Sequence, residues 1–149
     1  MIQANSARET YRYTAGVWEI YYQEGTWTPT LQGSTTPGTN TYSIQQGVYR
    51  RIGSFAYQGY QVRLTAKDAA MAGNAVIAGF PFSTGTNPNP CAIVVAANMA
   101  AGITATPTSF MSGMLAYLYK SPPNTALTTV TASDITSTTD ISGSGTVYY

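Results

Sequence analysis

The chain has 149 residues, with seven Lys and Arg against six Asp and Glu, no histidine and one cysteine. Charged residues make up 9% of it, against about 25% in an ordinary soluble domain. The missing histidine excludes Ser-His-Asp and Cys-His nucleophile pairs and His-containing zinc sites. The single thiol excludes an intrachain disulfide or a cysteine-ligated metal cluster.

The first 24 residues form a leader rich in aromatic side chains. A short strand is predicted over Val17–Tyr22, after a turn at Ala15-Gly16. We expect residues 1–24 to be a linker from an upstream part of a longer protein, and residues 25–149 to form one β-domain. The first residues, Met1–Ser6, lack the basic segment and apolar run of a secretion signal, so we expect synthesis and folding in the cytoplasm.

From Gly25 onwards, short strand-like runs alternate with turn-forming residues. The segment Trp27–Leu31 begins with strand formers, but Pro29 cannot donate to a ladder, which places the segment at a sheet edge or a strand start. Residues 33–40 are Gly, Ser, Thr, Pro and Asn and predict a loop. A strand bounded by two glycines is predicted at Gly47–Gly53.

The longest extended candidate is Ser54–Ala66. Its apolar residues first occupy odd positions, at Phe55 and Tyr57, and then even positions from Tyr60 onwards. Because side chains alternate between the faces of a strand, this switch predicts a bulge or sharp bend near Gln58-Gly59.

Five more segments are predicted to be strands: Asn74–Ala78, Cys91–Ala97, Met114–Lys120, Thr125–Thr131 and Gly145–Tyr149. The second and third of these are apolar at both alternating positions, which predicts burial on both faces. Two alanine-rich segments, residues 67–72 and 96–101, are too short to form stable helices without packing.

Eight or nine short strands with turns at this spacing predict an all-β protein, a β-sandwich or jelly roll. The 12 Tyr, 14 Gly and 8 Pro suit pleated surfaces and their turns. A net charge of +1 argues against a nucleic-acid surface, and no apolar run is long enough for membrane insertion. No cofactor and no metal site is predicted. Strands that are apolar on both faces predict burial between copies of the chain.

Three segments resemble motifs of one group of proteins. Gly25–Leu31 (GTWTPTL), Gly47–Gly53 (GVYRRIG) and Gly73–Phe82 (GNAVIAGFPF) are similar, in the same order, to the C-terminal β-domain of bacteriophage tail fibres and tailspikes. The resemblance covers roughly residues 25–149. One departure is Phe80, which stands where the pattern often carries leucine.

This resemblance implies a jelly-roll-like antiparallel β-sandwich that assembles as a homotrimer. It also implies a place in the virion, at the distal end of a tail appendage and joined to upstream fibre or spike domains. Trimerisation, contact with host surface glycans, or both would be its role there. In the motifs themselves, Gly73 and Gly79 are expected to adopt positive φ, and Trp27 to pack over the sandwich opening.

Candidate glycan contacts are the aromatic residues that have polar neighbours, because a sugar presents flat C–H faces edged by hydroxyl groups. Three clusters in the sequence meet this description: Tyr57, Tyr60, Gln61 and Arg63; Tyr117 and Tyr119; and Trp18, Tyr21 and Tyr22. For any one cluster, packing in the core or at a trimer interface is the competing interpretation.

Two alternatives to a non-enzymatic glycan receptor stay open. The first is a purely structural trimerisation or folding domain without a ligand. The second and weaker one is a polysaccharide-cleaving enzyme, which would need two carboxylates about 5–9.5 Å apart. The candidates for such a pair are Glu9, Glu19, Glu24, Asp68, Asp134 and Asp140.

Overall fold

The computed structural model describes residues 2–6, 9–84, 89–100, 108–120 and 126–148. Twelve strands are formed in these ranges: β1 Ile2–Ser6, β2 Glu9–Thr14, β3 Val17–Trp27, β4 Thr30–Gly33, β5 Thr41–Ile52, β6 Phe55–Ala66, β7 Ala75–Ala78, β8 Asn89–Ala97, β9 Thr108–Ser112, β10 Leu115–Lys120, β11 Thr128–Thr129 and β12 Asp140–Tyr148. A 3-10 turn at Ala132–Asp134 precedes the last strand.

The strands form one antiparallel sheet that folds over on itself. The strand order is β1-β2-β3-β5-β6-β12-β8-β9-β10-β7-β4, with β11 beside β10. We call β3-β5-β6-β12-β8 the front half and β9-β10-β7-β4 the back half. Core residues come from both halves, so the two halves pack face to face. The predicted all-β, jelly-roll-like antiparallel sandwich is confirmed.

Phe80 lies at the centre of the aromatic part of the core. It is fully buried, with its ring centroid 4.6 Å from that of Trp27 and 5.7 Å from that of Tyr60. Trp27 thus packs onto the core, as its position beside Pro29 predicts. The φ angles of Gly73 and Gly79 are +88° and +92°, which confirms the expected turn conformations of the third motif.

The bulge predicted at Gln58-Gly59 is wrong, because β6 pairs there in regular register with both β5 and β12. The even positions Ala56, Gln58, Tyr60, Val62 and Leu64 are all buried, and Gly59 is the one odd position that is buried as well. The apolar pattern misleads because Gln58 is an inward-facing residue. It satisfies its amide by accepting from the backbone N–H of Phe82 at 3.0 Å and donating to that residue's carbonyl at 3.3 Å.

Several predicted strands are present with longer or shorter bounds. The strand predicted at Gly47–Gly53 is the second half of β5. Of the strand predicted at Thr125–Thr131, residue 125 lies outside the described ranges, and the described part contains the two residues of β11. The expected burial of β8 on both faces is wrong, because both Ala92 and Val95 are exposed. The expected boundary at residue 25 lies inside β3, so one strand crosses it.

An ion pair joins the back half to the 3-10 turn. The ammonium of Lys120 lies 2.8 and 2.7 Å from the two carboxylate oxygens of Asp134. The same carboxylate accepts from the backbone N–H and the hydroxyl of Thr131. Burial alone would raise the pKa of Asp134, but these hydrogen bonds outweigh it and the pKa lies below its usual value.

Asp134→Asn is expected to lower the free energy of unfolding near neutral pH by about 2 kcal/mol, because Lys120 loses its buried charged partner. A depressed folded-state pKa stabilises the fold above the unfolded pKa of about 4, and this contribution is lost as the pH falls through the folded value. In urea unfolding at a series of acidic pH values, the acid limb, which is the fall in the free energy of unfolding as the pH decreases, should therefore be less steep for the variant. Glu19→Gln, which removes an exposed carboxylate 4.0 Å from Arg12, is the control and should change little. An unchanged acid limb in Asp134→Asn would contradict this assignment.

Candidate functional site

The outer face of the front half carries a shallow trough that runs across its strands. Directly opposed residues of regularly paired strands share a face of the sheet, so they form rows perpendicular to the strands. The floor of the trough is the row Thr26, Val48, Gly59 and Ser144, from β3, β5, β6 and β12. One side is the row Gln46, Gln61 and Ser142, and the other side is Tyr57.

A glycine lies at the centre of the depression. Gly59 puts no side chain of its own on the middle of the floor, and the backbones of Gly47 and Gly143, on the two neighbouring strands, also line the trough. The resulting volume is about 660 Å³, which is within the range of small-molecule sites. The trough is open to solvent along its length, so it suits an extended ligand better than a compact one.

The ring of Tyr57 leans across Gly59. A Cβ added at Gly59 would lie 3.0 Å from the Tyr57 hydroxyl and 3.4 Å from Cε1, so the ring occupies the space that a side chain at Gly59 would fill. Tyr57 is still 41% exposed. The trough therefore has an aromatic surface beside its floor, open to an apolar ligand face on the solvent side.

The other polar groups of the trough are uncharged. Thr26, Ser142 and Ser144 contribute hydroxyls, and Gln46 and Gln61 contribute amides. A hydroxyl or an amide both donates and accepts hydrogen bonds. Within the described ranges, Gln61 donates to the carboxylate of Asp140 at 3.3 Å and leaves its carbonyl oxygen available.

Charged residues near the trough are paired with each other. Arg63 donates to one carboxylate oxygen of Asp140 from Nε at 2.9 Å and from Nη2 at 2.6 Å. Arg50 lies 3.5 Å from Glu24 in the row that continues from Tyr57. Glu24 also accepts from the hydroxyl of Tyr22, and this hydrogen bond raises the pKa of the phenol.

Of the first predicted cluster, Tyr57, Tyr60 and Gln61 line the trough, and Arg63 lies at its end. Tyr60 has a different role, because it faces inward and is only 5% exposed. Its ring packs against those of Trp27 and Phe80. The cluster is therefore divided between the two faces of β6, as expected for a strand without a bulge.

The other two clusters lie away from the trough. Tyr117 and Tyr119 are on β10 in the back half, where the ring of Tyr119 is 5.6 Å from that of Phe110. Trp18 and Tyr21 are on the hairpin formed by β2 and β3. Tyr22 is on the same strand and donates to Glu24, as described above.

That hairpin borders a second cavity, of about 540 Å³, lined by Arg12, Glu19, Ile20, Tyr21, Arg51, Gly53 and Ser54. The guanidinium of Arg12 lies 5.4 Å from the centroid of the Tyr21 ring, within cation–π range. Arg51 donates to the carbonyl of Gly53 at 2.9 Å. Unlike the trough, this cavity combines charges of both signs.

All six carboxylates have hydrogen-bond or ion-pair partners in the fold. The partners of Asp134, Asp140, Glu24 and Glu19 are given above. Glu9 accepts hydrogen bonds from Tyr11 and Gln23. Asp68 accepts hydrogen bonds from the backbone N–H groups of Thr39 and Ala70. The hydrogen bonds from Ala70 and Thr39 lower the pKa of Asp68.

In the described part of the chain, no three His, Cys, Asp or Glu side chains are grouped to hold a metal ion.

Sequence reasoning missed most of the trough lining, including the polar residues Thr26, Gln46, Ser142 and Ser144. The serines belong to a Ser/Thr-rich stretch that has no aromatic residue beside them, so nothing local marks them. The available signal is the alternation Ser142-Gly143-Ser144-Gly145, which places small polar groups on one face of a strand and glycine on the other.

Comparison with known proteins gives one informative likeness. The fold is similar to part of the Dettilon tailspike protein (gp208), with a TM-score of 0.69, 18% sequence identity and coverage of 85% of this chain. The chain spans about a quarter, 24%, of that protein. No family model and no curated protein matches the chain.

No helix in the described ranges is long and apolar enough to cross a membrane.

Proposed function

We propose that this chain is a domain of a bacteriophage tail appendage, a tail fibre or tailspike, that binds host surface carbohydrate in the trough without cleaving it. The observation that carries the proposal is the trough itself, where Tyr57 lies beside a floor of small residues edged by hydroxyls and amides. A pyranose ring offers the complementary surface, with an apolar C–H face for the ring and hydroxyls for the polar rim. The shared fold with part of a tailspike supports the virion location.

The proposal includes a homotrimer, joined to upstream domains and placed at the distal end of the appendage. Large apolar side chains remain exposed in both halves of the sandwich outside the trough, among them Ile52, Val95 and Met114. Exposed apolar surface of this extent is typical of subunit interfaces. Static light scattering should give three times the chain mass of 15.8 kDa, and a monomer would contradict this part of the proposal.

A non-enzymatic role is supported by the carboxylates. Asp134 and Asp140 are each held by a cation at 2.6–2.8 Å, and the charged groups beside the trough form neutral pairs. A glycosidase needs one carboxylic acid and one free carboxylate facing the same bond. Release of reducing ends from host polysaccharide, lost in Asp140→Asn, would instead support the enzyme.

Tyr57→Ala is expected to weaken binding to susceptible host cells by about five- to twelvefold, since stacking on an aromatic ring contributes about 1–1.5 kcal/mol. Binding of labelled protein to cells measures this directly. Tyr119→Ala is the matched control, because it removes a tyrosine from the back half and should leave binding within about twofold.

The same experiment separates the receptor from its alternatives. Loss of binding in Tyr119→Ala or Trp18→Ala, with Tyr57→Ala unaffected, would move the site to another cluster. Wild-type protein that binds no strain infected by the parent phage would favour the purely structural domain. Circular dichroism of each variant excludes unfolding as the cause.

A further inference from the structure

We propose that the trough takes an uncharged segment of polysaccharide, lying across the strands rather than along them. This inference rests on the proposed function and narrows its ligand class. It depends on three features of the site: the absence of charge in the trough, the pairing of the charges at its margins, and the direction of its rows.

The first feature is the charge of the lining. None of the described residues that line the trough is charged, and its polar groups include the hydroxyls of Thr26, Ser142 and Ser144 and the amides of Gln46 and Gln61. An anionic sugar would have to leave water with no cation in the trough to compensate its charge. The hydroxyl groups of a neutral sugar, in contrast, can both donate hydrogen bonds to these side chains and accept hydrogen bonds from them, because each side chain carries a donor and an acceptor.

The second feature is the pairing at the margins. Asp140 holds Arg63 with two hydrogen bonds to one oxygen, and its other oxygen accepts from Gln61. A ligand carboxylate that recruited Arg63 would leave the carboxylate of Asp140, which is 9% exposed, without its cation. Removing one partner of such a pair is costly, so Arg63 is unsuited to binding an acidic sugar.

The third feature is the direction of the trough. Its floor runs from Thr26 on β3 to Ser144 on β12, which is three strand spacings, or about 14 Å at about 4.8 Å each. A short oligosaccharide covers this length. Tyr57 and Gln61 flank Gly59 along β6. A sugar that lies over Gly59 in a chain running across the strands therefore has Tyr57 on one side and Gln61 on the other.

The chain contains a contrasting site that makes the inference testable. Arg12 and Arg51 line the cavity beside the hairpin, so a carboxylate ligand would meet cations there, whereas no described charged residue lines the trough. The neutral-ligand proposal therefore predicts that variants of the trough, and not Arg12→Gln, change glycan binding.

The test uses the assembled protein and surface polysaccharide purified from a strain that it binds. The carboxyl groups of half of the sample are reduced to alcohols, and both halves are titrated by calorimetry at two salt concentrations that differ tenfold. We expect the four titrations to give Kd values that agree within about twofold, because interactions between neutral groups are not screened by salt. Gly59→Leu, which places a side chain on the floor and displaces the ring of Tyr57, should weaken binding by at least about tenfold, while Arg12→Gln should leave it unchanged.

Loss of binding on carboxyl reduction, or a decrease of more than about tenfold at the higher salt concentration, would overturn the neutral-ligand inference while leaving a carbohydrate receptor. Unchanged binding by Gly59→Leu, shown by circular dichroism to be folded, would place the glycan outside the trough and overturn it as well. Failure of the wild-type protein to bind any susceptible strain is a different result, and it would remove the proposed function itself.

Discussion

Phe80→Ala should lower the free energy of unfolding by about 3–5 kcal/mol, the usual range for a fully buried phenylalanine. The ring is completely buried and lies between Trp27 and Tyr60, so its removal leaves a cavity that two rings held in strands cannot close. Urea denaturation followed by Trp fluorescence measures the loss.

Phe110→Ala is the matched control for this substitution. Phe110 is 40% exposed and packs against Tyr119 on the outer face of the back half, so its truncation should cost about 1 kcal/mol or less. Equal losses for the two variants would mean that the core is not organised around Phe80, and the packing described above would be wrong.

Gly47→Ala is expected to destabilise the sandwich by about 2 kcal/mol, a typical cost of overpacking. A Cβ at this position would lie 2.4 Å from Cε2 and Nε1 of the Trp27 indole. The indole cannot easily yield, since its other neighbours are Phe80 and Tyr60. The same denaturation experiment measures the change.

Gly59→Ala gives the comparison within the same sheet. Gly59 lies opposite Val48, the residue after Gly47, and faces outward. A Cβ there meets only the ring of Tyr57, with the hydroxyl at 3.0 Å and Cε1 at 3.4 Å. This side chain is 41% exposed and can turn toward solvent, so the loss should stay within about 0.5 kcal/mol. A larger loss in Gly59→Ala than in Gly47→Ala would reverse the assignment of the two faces.

Much of the fold follows from local patterns in the sequence. Short runs of β-branched and aromatic residues between Gly and Pro residues predict most of the strands and the sandwich class. The pattern misleads where a polar side chain faces inward. Gln58 is buried because the backbone of Phe82 satisfies its amide, and this contact joins residues 24 positions apart.

The candidate site was only partly predictable, because it is assembled across strands. Tyr57 and Gln61 are two residues to either side of Gly59 and could be found as an aromatic residue with a polar neighbour. Gln46 and Ser142 reach the trough only through the registers of β5 and β12 with β6. These registers depend on long-range pairing, which no local feature of the sequence specifies.

The central claim is that the trough over Gly59 holds a host glycan. Crystals of the assembled protein soaked with oligosaccharide from the surface polysaccharide of a bound strain test it most directly. The structure predicts a sugar ring against Tyr57, with hydroxyls hydrogen bonded to Gln61 and Ser142, and a chain direction across the strands. A glycan bound at the hairpin or on the back half, with the trough empty or covered by another subunit, would contradict the claim.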